Sequence, residues 1–150
     1  VLVLDLDNTL WGGVIGEDGP EGIVLDSAHE GAIYQDTQKQ IKKMQQQGVL
    51  LAIASKNNSE DVQSAFRENP HMILKESDFS AIYADWNPKP VNIGKIAEEL
   101  NLGLDSFVFV DDNEAEREAM RNFHGTVLNL LKTNTKWPKR LRLKWLNCLC

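Results

Sequence analysis

The chain has 150 residues, 42% apolar and 25% charged, with a formal net charge of −6; this is enough for one domain with a real core and is ordinary for a globular protein. No apolar run reaches the roughly eighteen residues of a membrane span, and Val1–Leu4 is too short, and lacks the basic flank, for a signal peptide, so neither is expected. All 22 acidic residues and nine of the 16 basic ones fall at or before Glu118, and so acidic a body excludes general nucleic-acid binding.

In chain order, five strands are expected: Val1–Leu4, Leu50–Ala54, Ala81–Ala84, Phe107–Val110 and Thr126–Leu128. The first, second and fourth are unbroken apolar runs, as strands covered on both faces should be. Four helices are expected between them. His29–Gln47 carries Ile33, Ile41 and Met44 at roughly helical spacing and stops at Gly48. Ser59–Arg67 follows Asn58 and has Glu60 and Asp61 in its first turn. Pro90–Leu100 opens on a proline and ends before Gly103. Glu114–Asn122 is shorter. Strands alternating with helices predict an α/β domain, a three-layer Rossmann-like parallel sheet with helices on both faces. The glycine-rich stretch "GGVIGEDGPEGIVL" at 12–25 predicts a small β-hairpin flap directly after the first strand. Val1 already sits in a strand-like run, so a domain of a longer protein is expected.

Ligands of open α/β sheets bind beyond the carboxyl ends of the strands. Four strand ends here carry polar residues of complementary kinds. Strand one runs into Asp5 and Asp7, strand two into Ser55, Lys56 and Asn57, the segment after strand three holds Lys89, and strand four runs into Asp111 and Asp112. Carboxylates crowded together repel one another, and burial makes that worse. A divalent cation relieves the repulsion, and hard oxygen ligands suit Mg²⁺, which binds phosphate oxygens in turn. Asp5 is then placed to attack phosphorus as a nucleophile. Asp7, two residues on, points to the same side of an extended chain and is placed as acid and base. Ser55 and neighbouring amides would hold phosphoryl oxygens, with Lys89 as a point charge on the same group. Lys56 and Asn57 are candidate phosphate or substrate contacts, a turn role for Asn57 being the alternative. Trp11 and Trp86 are read either as pocket-lining or as packing residues.

The ordered set Asp5-x-Asp7-x-Thr9, Ser55, Lys89 and Asp111-Asp112 resembles the four motifs of the haloacid dehalogenase (HAD) superfamily. The stretches "DLDNTLWGGVIGEDG", "SKNNSEDV", "WNPKPVNI" and "IAEELNLGLDSFVFVDDNEAERE" resemble its FkbH-like (HAD-IIIC) subgroup, over about residues 1–123. The resemblance implies a Mg²⁺-dependent phosphatase working through an aspartyl-phosphate. Asp5 would be nucleophile and metal ligand. Asp7 would be acid/base and a metal ligand through its backbone carbonyl. Thr9 would steady the loop, Ser55 would bind phosphate, and Lys89 would position nucleophile and phosphate. Asp112 would contact the metal with Asp111 beside it, or the two in reversed order. Residues 1–123 are the expected catalytic core, and 124–150 a last strand and basic tail. About fifty residues separate Asp5 from Ser55, too few for a large cap domain, so the flap at 12–25 is the expected lid. The expected substrate is a phosphorylated small molecule or one tethered to a carrier protein.

The resemblance also brings an alternative, a glyceryl-loading enzyme acting on a glyceryl phosphate and an acyl carrier protein, as in polyketide assembly. That route needs a thiol. Position 54, beside Ser55, is Ala, and the two cysteines, Cys148 and Cys150, lie at the tail. They are too close together for a disulfide framework, and a reducing, cytoplasmic setting is expected. Two further rivals are a phospho-receiver signalling module, whose acidic pair and acceptor Asp sit on strands in a different order, and a silent carrier-binding fragment. A calcium loop is excluded because "DLDNTLWGGVIGE" has Leu10 and Gly16 where Gly and Glu are needed. The histidines, His29, His71 and His124, lack metal-ligand spacing. The tail "TKWPKRLRLKWLNCLC" is read as an amphipathic element burying Leu141, Leu143 and Trp145, with contact to an acidic partner or membrane surface as the alternative.

Overall fold

Apolar strands that alternate two faces dictate the architecture. A computed structural model describes residues 1–124 and 129–132. Strands β1 (Leu2–Leu4), β2 (Leu51–Ser55), β3 (Ala81–Ala84), β4 (Val108–Asp111) and β5 (Asn129–Lys132) form one parallel sheet in the order β3-β2-β1-β4-β5. Leu2, Leu4, Leu51, Ile53, Val108 and Val110 face one side. Val1, Val3, Ala52, Ala54, Phe107 and Phe109 face the other. The first face is covered by α1 (Ile15–Gly22), α2 (His29–Gln46) and α3 (Ser59–Glu68), and the second by α4 (Lys89–Leu100) and α5 (Glu114–His124). This is the expected three-layer α/β fold, and no large cap domain occurs among the described residues. The expected strand Thr126–Leu128 and the basic tail with its cysteines lie outside the described residues.

Two local expectations are corrected. Residues 12–25 are not a β-hairpin. They form the short helix α1, broken at Gly19 (φ 72°) and closed at its base by one antiparallel bridge, Gly12–Val24, with N–H···O distances of 2.9 and 2.8 Å. Asp18 accepts the Val14 amide at 2.9 Å and starts the helix, while Pro20 has no N–H to give a strand ladder. The neck requires glycine, since a Cβ on Gly12 would sit 2.9 Å from the Val24 side chain and 3.0 Å from the Tyr34 ring. Ile33 of α2 is 44% exposed; Gly31, Thr37, Gln38, Ile41 and Met44 are the buried residues of that helix. Helix α4 ends at Leu100, before Gly103, as expected, with Asn101 in the left-handed conformation (φ 53°) as its cap.

The buried Gln38 was not singled out from the sequence. Its Nε2 donates to the Leu10 carbonyl at 2.9 Å, and its Oε1 accepts the Ile73 and Leu74 amides at 3.0 and 3.1 Å. One side chain thus braces the loop after β1 against residues 73–74. Gln38→Ala leaves these buried groups unpaired and should cost about 3 kcal/mol in urea denaturation.

Candidate active site

The alternation of the strands places the acidic residues. Asp5 follows Val1 and Val3 onto the α4–α5 face, and Asp111 follows Phe107 and Phe109 onto the same face. β1 and β4 are parallel neighbours in which Leu4 lies opposite Val110, so the next residues, Asp5 and Asp111, come side by side. The Asp5 amide donates to Val110 O at 3.0 Å and holds that register. Lys89, the first residue of α4, enters from the layer above. Its Nζ donates to Asp5 Oδ1 at 3.1 Å and to Asp111 Oδ2 at 2.5 Å, and lies 6.0 Å from the centre of the Phe109 ring. Asp5, Lys89 and Asp111 are all buried. One ligand oxygen each from Asp5, Asp111 and Asp112 lies within 4.8 Å of the others.

The electrostatics are those of a site short of positive charge. Burial pushes Asp5 well above the ordinary carboxylate range, with Asp111 adding to the shift and Lys89 opposing it. Burial likewise raises Asp111 against the pull of Lys89 and of the Asn113 amide. Burial works against the Lys89 ammonium, but Asp5 and Asp111 outweigh it and raise its pKa. Three carboxylates and one ammonium leave an excess of two negative charges. The donor set is hard oxygen around a gap of atomic size, so it fits a divalent cation such as Mg²⁺.

Asp7 stands apart from this cluster. Its Oδ1 accepts the Trp11 indole N–H at 3.1 Å and the Ile15 amide at 3.0 Å, and its Oδ2 accepts Asn57 Nδ2 at 2.9 Å. The side chain is therefore aimed by three donors, one of them at the start of α1. Asn8, directly after Asp7, has φ 56°, and its Oδ1 accepts the Gly13 amide at 3.0 Å. Asn57 also donates to Ser55 Oγ at 3.0 Å, and both residues are buried. Thr9 is fully buried, its amide donating to Leu6 O at 3.0 Å within the loop.

The structure thus brings Asp5, Lys89, Asp111 and Asp112 together, with Asp7, Ser55 and Asn57 joined to one another by hydrogen bonds at the neighbouring strand end. Lys56 points elsewhere and pairs with Glu116 of α5 at 3.0 Å. Trp11 is fully buried and packs edge-on against Phe66, with ring centres 6.0 Å apart, so it packs and orients Asp7 at once. His124 Nε2 donates to Pro90 O at 2.8 Å, tying α5 to the start of α4. Arg117, which the sequence reading passed over, is buried; it donates to the Asp111 carbonyl at 2.6 Å and pairs with Glu114. Its only sequence signal is a lone arginine inside the acidic run "NEAERE".

No protein-family model and no curated protein matches the chain. Solved structures do. The N-terminal part of the protein BF1531 from Bacteroides fragilis, containing a phosphatase domain and complexed with Mg, is 37% identical with a TM-score of 0.87, over 96% of this chain and 38% of that one. An HAD family enzyme from Bacteroides thetaiotaomicron, in complex with magnesium and inorganic phosphate, is 11% identical with a TM-score of 0.58, over 89% of this chain and 93% of that one. This chain has the HAD-family fold. The same fold recurs in the 3-deoxy-D-manno-octulosonate 8-phosphate phosphatase from Moraxella catarrhalis, in complex with magnesium, phosphate and KDO. That enzyme is 21% identical with a TM-score of 0.50, over 80% of this chain and 61% of that one. As an HAD-fold domain the chain spans well under half the length of the Bacteroides fragilis structure. Among the described residues no helix is long and apolar enough to cross a membrane.

Proposed function

We propose that this HAD-fold domain is a Mg²⁺-dependent phosphatase that works through a phosphoryl group carried on Asp5. The observation that carries the reading is the convergence of Asp5, Lys89, Asp111 and Asp112 from three strand ends into one buried cluster. The magnesium in the Bacteroides and Moraxella structures supports it.

Asp5, Asp111 and Asp112 would hold the metal, with the Asp7 carbonyl as a further ligand. Bound there, magnesium supplies the positive charge that draws phosphoryl oxygens toward the nucleophile. Lys89 occupies Asp5 Oδ1 and leaves the other oxygen to attack phosphorus. The bond from phosphorus to the ester oxygen breaks as the new one forms, and Asp7 gives the departing oxygen its proton. Asp7 then takes a proton from water, whose oxygen attacks the same phosphorus. Inorganic phosphate leaves and Asp5 is restored. The donors on Asp7 fix its direction, and its Oδ2 keeps one of its roughly two acceptor sites for the moving proton. Ser55, joined to Asp7 through Asn57, is the contact proposed for phosphoryl oxygens.

The finer reading, an FkbH-like domain, rests on the resemblance of its motifs. Within that reading hydrolysis is favoured over glyceryl loading because Ala54, buried beside Ser55, offers no thiol. The experiment is a screen of phosphorylated three-carbon acids and other phosphate esters with Mg²⁺, with and without an acyl carrier protein. Phosphate release that stops in EDTA and returns with added Mg²⁺ is expected. Unaffected hydrolysis in EDTA overturns the metal assignment, a mass gain on the carrier supports loading, and stable aspartyl phosphate without turnover supports the signalling rival.

A further inference from the structure

We infer that Trp86 is the residue that selects the organic part of the substrate, by giving a planar or aromatic group next to the phosphate a surface to stack on. The inference rests on the phosphatase reading of the site. Trp86 lies between β3 and α4, three residues before Lys89. It is 67% exposed. An indole left in water on a surface usually lies loose, but this one is fixed. Its Nε1 donates to Asn58 Oδ1 at 2.9 Å, and Asn58 Nδ2 in turn donates to Asp61 Oδ2 at 3.2 Å on α3. The backbone beneath is fastened too: the Asp85 amide donates to Ser55 O at 3.2 Å, and the Asn87 amide donates to Asp85 Oδ1 at 3.0 Å. Asp85 Oδ1 also accepts Asn92 Nδ2 at 2.7 Å.

The placement matters as much as the rigidity. Asn58 is the residue after Asn57, whose side chain touches both Asp7 and Ser55. The indole is thus tied to the loop that carries the Ser55–Asn57 pair, and its own loop leads within three residues to Lys89, so it is held beside the elements that supply both the phosphate contact and the lysine. Among the described residues no cap domain covers it. With its N–H already committed to Asn58, Trp86 offers only its ring face and edge. That favours a flat π-bearing group over a polyhydroxylated one.

The test compares benzyl phosphate with methyl phosphate, two alkyl esters that differ in the ring. Wild type, Trp86→Ala, Trp86→Phe and Asn58→Ala are assayed with Mg²⁺, with circular dichroism to show that each is folded. Trp86→Ala is expected to lower kcat/KM for benzyl phosphate about three- to tenfold, mainly through KM, and to leave methyl phosphate unchanged. Trp86→Phe should restore most of the loss, and Asn58→Ala should fall between. Benzylphosphonate should quench tryptophan fluorescence in wild type and not in Trp86→Phe. Equal losses on both esters, or none on benzyl phosphate, overturn the stacking role while leaving the phosphatase reading intact. Release of phosphate from other esters of the screen but not from benzyl phosphate overturns the stacking role alone, and failure of the wild type on every ester overturns the phosphatase reading and the stacking role with it.

Discussion

Asp5→Asn is expected to abolish turnover, by about 10⁴-fold or more, because the amide neither attacks phosphorus nor carries the phosphoryl group. The same substitution should make the metal-free protein more stable, which a mere packing defect would not do. Burial raises the folded-state pKa of Asp5 well above its ordinary value of 3.8. The fold therefore holds the proton longer than the unfolded chain does. Its stability is fully present below pH 3.8 and is lost as pH rises from there through the raised value. Asparagine removes that loss. Mg²⁺ binds the ionised form and should offset it in wild type, by about 2.7 kcal/mol at a hundredfold excess over its Kd, and more weakly in Asp5→Asn. Thermal melts from pH 4 to 8, with Mg²⁺ or EDTA, read both effects. A fully active Asp5→Asn enzyme would refute the nucleophile assignment.

Lys89→Met carries the second large effect. The ammonium is the buried partner of both Asp5 and Asp111. Breaking a buried pair by removing one member typically costs about 3–5 kcal/mol, since the charge left behind has no water and no partner. Here two carboxylates are left behind. The metal-free variant should lose stability in that range at pH 7, and less at pH 4, where the carboxylates hold protons more readily. Added Mg²⁺ should recover part of the loss. Turnover should still fall by about 10²–10³-fold with metal present, because the lysine also fixes the direction of the nucleophile. Full activity in a folded Lys89→Met protein would remove Lys89 from the catalytic set. Lys89→Arg is not a gentle control, as the planar fork does not match a point charge held between two oxygens.

The parts of the fold legible in the sequence were those governed by short-range rules. Unbroken apolar runs bounded by glycine, proline and acidic first turns marked β1 to β4 and α2 to α5 to within a few residues. The polar residues at four strand ends became meaningful once the elements were read as a parallel sheet. Residues 12–25 were misread because glycine-rich composition suits either a turn or a broken helix. The deciding contacts are the Asp18 carboxylate on the Val14 amide and the lone Gly12–Val24 bridge, neither of which composition reveals. The supporting residues were missed for a related reason. Gln38, Arg117 and the indole N–H of Trp11 act through contacts between elements, and nothing in their own neighbourhood separates them from surface polar or packing residues. Lys56 shows the converse. Adjacency to Ser55 made it a phosphate candidate, yet in this structure its side chain turns toward Glu116.

The order in which the chain is synthesised acquires a cost from the Lys89 contacts. Asp5 emerges from the ribosome 84 residues ahead of the lysine that neutralises it. Until the start of α4 follows, a nascent β1–β2 unit has an anion at its end and nothing to cover it, so early docking of these strands is discouraged. Fragments that stop before residue 89 should therefore stay largely unassembled, and the sheet should close in one late step when the lysine and β4 arrive together.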